Sequence, residues 1–281
     1  MTFHVGPWFE SLVNGMKRNF DGFFDAVAAS LESGIEGFEQ TLSILPPPVM
    51  ILLLAALAWW ACGLRKWGLA LFTLLGFTLV WAMELWGHTI ETLALVLSAT
   101  LLALAIGVPL GIACGRSARA ERMVRPVLDF MQTMPAFVYL IPAVLFFSLG
   151  KVPGAVATVI FAMPPSVRLT ALGLRQVPPE LIEASNAFGA TSWQQLAKVQ
   201  MPMALPSILA GVNQTIMLAL SMVVIAAMIG AGGLGGVVLR GITQMKIGQG
   251  FEGGLAIVVL AMYLDRVTQA IGSRGSRAKT D

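Results

Sequence analysis

Seven apolar runs alternate with shorter polar segments along this chain, at about 49–64, 67–86, 91–114, 130–149, 153–174, 206–229 and 254–271. A hydrocarbon core about 30 Å thick requires roughly 20 consecutive apolar residues in helical form, so each run predicts a membrane-spanning helix. The first run is short and borrows from Pro46, Pro47 and Pro48 or tilts little. Only Gly150, Lys151 and Val152 separate the fourth from the fifth, and Pro135, Pro142, Pro164 and Pro165 interrupt them. Such prolines survive in lipid where neighbouring helices or a water-filled cavity satisfy the freed carbonyls.

Two further patterns stand out. In residues 1–48, Trp8, Leu12, Met16, Phe20, Phe23, Val27, Leu31, Ile35, Phe38, Leu42 and Leu45 recur every three or four positions, with Glu10, Asp21, Asp25, Glu32, Glu36 and Glu39 between them. This predicts an amphipathic helix in the outer membrane interface, broken at Gly22 or Gly34, serving as a packing collar or a regulatory element. In the third run Ala99, Ala103, Gly107, Gly111 and Gly115 repeat at every fourth residue. Small residues at that spacing let a second helix approach closely, so Ala103, Gly107, Gly111 and Gly115 are expected to form a packing seam.

Composition places the chain in lipid. Of its 281 residues 57% are hydrophobic and 12% charged, against the roughly 25% charged residues of a soluble globular domain. Cys62 and Cys114 both lie inside apolar runs, so no disulfide framework is indicated. No basic segment followed by an apolar one opens the chain, and the first span is expected to do the targeting. Arg65, Lys66, Arg116, Arg119, Arg122, Arg125, Arg168, Arg175, Lys198, Arg266, Arg274, Arg277 and Lys279 gather on one side of the seven spans. Lys17, Arg18, Lys151, Arg240 and Lys246 fall on the other, which predicts the N-terminus outside and the C-terminus in the cytoplasm. The net charge of +3 then follows from topology and needs no nucleic-acid partner.

One polar stretch, EASNAFGATSWQQLAKVQMP at 183–202, interrupts the apolar pattern on the predicted cytoplasmic side. Pro178 and Pro179 ahead of Glu180 signal a helix start. Gly189 permits the left-handed conformation that ends a helix. Thr191 with Gln194 three positions later matches a capping box, so a second short helix is expected, ending at Met201 because Pro202 follows. A turn of a few residues would have joined the spans, and a structured loop of this length points to docking.

The spacing of Glu183, Ala184, Ser185, Gly189, Val199, Met201 and Pro202 resembles the EAA loop of ABC importer permeases, with Ser for the second Ala, Val for Ile and Met for Leu. DFMQTMPAFVYLIP (129–142), VIFAMPPSVRLTALGLRQVPPELIEAS (159–185), GVNQTIMLALSMVVIAAMIGAGGLGGVVLRGI (211–242) and LDRVTQAIG (264–272) are similar to the permeases of glycine betaine, proline betaine and choline uptake systems. The resemblance covers roughly 88–272 and implies an all-α polytopic bundle in the bacterial inner membrane. Taken with the amphipathic and apolar patterns, which set off an extracytoplasmic amphipathic helical segment (1–48) and accessory helices (49–86), it implies a core transmembrane domain (87–272) holding the coupling loop at 176–205, and a cytoplasmic tail (273–281). It further implies that the seven loop residues contact an ATP-binding subunit. One loop per chain implies a permease homodimer facing two such subunits, with ATP and Mg bound by that partner, no cofactor on this chain, and an extracytoplasmic binding protein delivering solute.

The remaining motifs bear on mechanism. The central parts of the seven runs hold no charge, which disfavours a proton-coupled carrier, although carbonyls of broken helices could hold sodium. No G-x-x-x-x-G-K-[ST] occurs, and G-x-G-x-x-G at 230–235 ends a membrane run where a βαβ unit would be required, so that match reads as chance. Glu84, His88 and Glu91 share a helical face and read as an interfacial cluster before a metal site. Gln132, Thr133, Pro135, Tyr139, Asn213 and Gln214 are the candidate pathway residues, and interhelical hydrogen bonding explains them equally well. A permease for another small solute, or an ion-coupled carrier, remains the alternative function.

Overall fold

A computed structural model describes the backbone of residues 6–63 and 67–277, and side chains at 10, 11, 13, 15–63 and 67–272. Trp8 and Leu12 of the N-terminal stripe, Arg65, Lys66, and the tail cations Arg274, Arg277 and Lys279 lie outside the described side chains. Every described element is helical: α1 (Gly6–Ser43), α2 (Pro47–Cys62), α3 (Gly68–Ala82), α4 (Trp86–Arg116), α5 (Ala118–Thr133), α6 (Leu140–Phe147), α7 (Lys151–Arg175), α8 (Pro179–Ala187), α9 (Ser192–Ala227), α10 (Gly233–Thr243) and α11 (Ile247–Arg277). Four of them, α4, α7, α9 and α11, are long and apolar enough to cross a membrane singly, and two bent pairs, α1–α2 and α5–α6, pass that test when combined.

The bundle is organised around α7, which lies between α4 and α9. Close approach explains the small residues of α4. A Cβ on Gly111 would stand 2.6 Å from the Thr170 Cβ and 2.7 Å from the Val167 carbonyl oxygen, and one on Gly115 would stand 2.9 Å from Leu174. Gly107 faces Ser166 in the same way, and Ala103 is fully buried one turn earlier. On the other side of α7, Gly173 meets Ala204 and Ser207, and Gly211 meets Ser166 and Leu169. In lipid, where helix burial brings little hydrophobic gain, such backbone proximity supplies the van der Waals contact that holds helices together.

A second layer, α2, α3 and α11, packs beside α9 and α10 around Phe77, Val80, Leu220, Leu234, Leu260 and Tyr263. The Tyr263 ring meets Phe77 edge-on with centroids 5.3 Å apart, and its hydroxyl donates to the Leu54 carbonyl at 3.3 Å.

Three expected boundaries shift. The run at 130–149 is not one helix: α5 ends at Thr133, a 3-10 turn spans Ala136–Tyr139, and α6 leaves at 109° to α5. Pro135 is the cause, because its ring removes a donor and pushes Met134 to an extended ψ of 134°. The Tyr139 hydroxyl donates to the Met131 carbonyl freed at the break. The N-terminal helix kinks at Phe20 (φ −126°, ψ 24°), two residues before Gly22, and continues through Gly34. The third shift, at Met201, belongs to the site below.

Helix α1 packs on the bundle end opposite α8. Ile35 is buried among Leu95, Ala155, Ala226 and Ala231, the Phe24 ring stacks on Phe146 at 4.4 Å, and Lys151 pairs with Glu39 at 2.6 Å.

Candidate functional site

The polar stretch forms a hairpin. Pro178 leads into α8, whose first turn carries Glu180, an acid placed favourably against the helix dipole. Phe188 closes α8, and Gly189 then turns the chain at φ +73°, a left-handed conformation that a side chain adopts only under strain. The capping box at the start of α9 is present in both directions: the Gln194 amide donates to Thr191 Oγ1 at 3.3 Å, and the Thr191 amide donates to Gln194 Oε1 at 2.9 Å. Gln195 locks the two arms together, its Nε2 donating to Ser185 Oγ and Asn186 Oδ1, each at 2.9 Å. Sequence reasoning gave Gln195 no role, because its partners come from the other arm.

The second arm does not stop at Met201. It continues into the membrane as α9, 36 residues from Ser192 to Ala227, through one π-type turn at Leu196–Gln200. There the Met201 amide donates to the Leu196 carbonyl, one residue further back than in an α-helix. The widened turn shifts the hydrogen-bond register just ahead of Pro202, so the proline neither breaks the helix nor collides with the preceding carbonyls. Leu196, Ala204 and Ile208 pack with Leu174 at the end of α7, and Met201 lies against them. The second arm of the hairpin is thus continuous with α9 and packed against the end of α7.

Its outer surface mixes exposed charged residues, Glu180, Glu183 and Lys198, with large uncovered apolar side chains. Phe188 is 92% exposed and Trp193 72% exposed, and Leu181 on the first arm is exposed as well. Glu183, Ala184 and Gly189 lie on the exposed side, whereas Ser185, Val199, Met201 and Pro202 are half-buried along its base. Two nearby arginines are paired: Arg175 donates to Glu121 at 2.6 Å and to the Cys114 carbonyl at 2.7 Å, and Arg168 pairs with Asp129. The Arg175 guanidinium holds the Glu121 carboxyl below the usual carboxylate range.

The candidate pathway residues do not converge. Gln132, Thr133 and Pro135 are exposed at the α5–α6 break, Gln214 is exposed on α9, and Tyr139 is buried against Leu140, Ala143, Ala157 and Met222. Asn213 instead donates to Asp265 Oδ1 on α11 at 2.9 Å, an oxygen that also accepts from Gln269 at 2.7 Å. Asp265 is a carboxylate inside the last apolar run that sequence reasoning passed over. Its signal was available in the coincidence of one acid and one amide on two apolar runs.

At the opposite end, the glycines at 230–235 have a structural cause. Gly230, Gly232 and Gly233 all have positive φ, and they turn the chain from α9 into α10. The first amides of α10 are capped from α4: Gly233 N–H donates to Glu91 Oε2 and Leu234 N–H to Thr92 Oγ1, each at 2.8 Å. Thr92 is buried, so Thr92→Val keeps the shape but strands a buried amide, a loss of about 1–3 kcal/mol. A lowered melting temperature of the solubilised protein, with Thr92→Ser close to wild type, is the expected result.

Residues 107–274 match the family model described as "Binding-protein-dependent transport system inner membrane component". The chain is 51% identical over 262 residues to the glycine betaine transport system permease protein OpuAB of Bacillus subtilis (strain 168), covering 93% of this chain and 92% of that protein. It is 50% identical over 277 residues to the glycine betaine/proline betaine transport system permease protein ProW of Escherichia coli (strain K12), covering 97% of this chain and 77% of the relative. A solved inward-facing structure of the MetNI methionine ABC transporter superposes with a TM-score of 0.57 at 27% identity, over 67% of this chain and 92% of that one. With its helical bundle and apolar spans, the chain therefore belongs to the binding-protein-dependent transport system inner membrane components and is a multi-pass inner-membrane permease of an ABC importer.

Proposed function

We propose that this permease imports quaternary ammonium compounds, namely choline, glycine betaine or proline betaine, by alternating access driven by ATP hydrolysis in a separate subunit. The single observation that carries the coupling mechanism is the hairpin, its arms joined by Gln195, with Phe188 and Trp193 uncovered. The substrate class rests on the relatives, whose names specify glycine betaine and proline betaine.

In this reading two copies of the chain form the permease, N-terminus outside, and each hairpin docks on one of two ATP-binding subunits. Glu183, Ala184, Ser185, Gly189, Val199, Met201 and Pro202 form or support that contact. The chain carries no nucleotide site of its own; ATP and Mg belong to the partner. Closure of the nucleotide-binding dimer pushes on the hairpins, and because each is continuous with α9 and packed on α7, the push reaches the bundle centre without a flexible joint. Binding protein docks at the opposite end, and hydrolysis resets the dimer. Residues 87–272 form the working core, with 49–86 accessory to it.

The test is uptake of labelled choline and glycine betaine by a transport-deficient cell supplied with this chain and its genomic partners. Uptake that disappears when the ATPase is deleted supports the proposal. Uptake that persists without the ATPase returns the ion-coupled alternative, and absence of uptake for both solutes removes the substrate assignment.

A further inference from the structure

A cleft lies far from the hairpin, where the last turns of α1 and the turn before α2 meet the starts of α4 and α7. It measures about 620 Å³, within the roughly 300–1,000 Å³ range of small-molecule sites. Glu36, Glu39 and Glu91 line it together with Lys151, Trp86 and Ile90. Three carboxylates against one ammonium make it acidic, and an indole forms part of the wall.

These groups are not equally engaged. Glu39 is taken by Lys151 at 2.6 Å, and Glu91 caps α10 through Gly233 at 2.8 Å with His88 at 3.5 Å. Glu36 has no hydrogen-bond or ion-pair partner among the described residues. A quaternary ammonium group has no N–H to donate, so it is held by negative potential and by aromatic faces, the two things this cleft offers together. Most of the lining, from Glu36 to Glu91, lies outside residues 107–274 that match the permease family model, so the cleft belongs to the part of the chain that the family match leaves unassigned.

We infer that this cleft binds a small quaternary ammonium compound directly on the permease, through Trp86 and Glu36, independently of the binding protein. The ligand class rests on the transport reading above. Because Glu91 both lines the cleft and caps α10, occupancy is linked to the start of α10 through one side chain. Its electrostatic part also makes binding weaken as ionic strength rises.

The experiment is equilibrium binding of labelled choline and glycine betaine to the permease–ATPase complex in phosphatidylglycerol nanodiscs, which contain no ammonium headgroup, with binding protein left out. Saturable binding is expected, weakened at least fivefold by Trp86→Leu and by Glu36→Gln, and largely retained by Trp86→Phe. Glu36 is exposed, so Glu36→Gln tests the site even if Trp86→Leu disturbs packing against Phe77. No saturable binding by wild type, or wild-type binding by Glu36→Gln and Trp86→Leu, overturns the inference. Uptake measured in parallel with binding protein present separates the two readings. Normal uptake without binding here removes the cleft and leaves the transport reading intact. Without uptake of either solute, labelled tetramethylammonium binding decides the cleft alone.

Discussion

Gly189→Asp is expected to abolish ATP-driven uptake while the protein remains in the membrane at wild-type abundance. The position has φ +73°, where most side chains cost on the order of 1–2 kcal/mol and aspartate, like asparagine, costs less. Nothing lies within 4 Å of that Cβ, so the free hairpin has room for the side chain. The new carboxylate also follows the C-terminus of α8, the unfavourable end of the helix dipole for an anion. Strain of this size leaves the bundle folded, because the arms are still joined by Gln195 and rooted at Leu196. The substitution puts a charge next to Phe188 at the exposed turn, and a loss above about 1.4 kcal/mol in the coupled state lowers uptake more than tenfold. Gly189→Asn, whose side chain is uncharged and tolerated in the left-handed region, retains most activity. The measurement is uptake beside membrane abundance and co-purification of the ATPase. Normal uptake by the aspartate variant removes the docking role of the hairpin.

Gly111→Val has the second large effect, on folding instead of coupling. Its Cβ would meet the Thr170 Cβ at 2.6 Å and the Val167 carbonyl at 2.7 Å, and a backbone carbonyl cannot rotate aside. The helices must separate, which breaks the contacts at Gly107 and Gly115 as well. Overpacking of this kind costs about 1–3 kcal/mol, and the two extra methyls place it at the upper end. A fall in melting temperature of roughly 6–12 °C corresponds to about 3 kcal/mol in a chain of this size. Gly87→Ala is the control, since nothing lies within 4 Å of its Cβ. Equal melting temperatures for Gly111→Val and wild type mean that α4 and α7 are not held by this approach.

Those two glycines were legible for different reasons. Gly189 sits in a local motif, where the capping box Thr191–Gln194 and the prolines ahead of α8 act within a few residues of one another. Gly111 is legible as one of a row of small residues, but the row does not say which helix fills it. Residues from a separate run, Val167 and Thr170, supply that answer. Met201 shows a local preference overridden: the residue before a proline avoids helical geometry in isolation, yet a π turn and packing of Leu196 against Leu174, Ala204 and Ile208 make it helical.

From its own pattern the chain determined its lipid setting, its apolar helices, the hairpin with its turn, and the small-residue face of α4. Each depends on composition or on residues within one or two helical turns. Tertiary structure alone decided the Asn213–Asp265 bond, across 52 residues, and the capping of α10 by Glu91 and Thr92, whose partners lie 142 residues away. A buried polar group must find a partner, but its identity emerges only when distant helices meet, because the bilayer offers no water as a substitute.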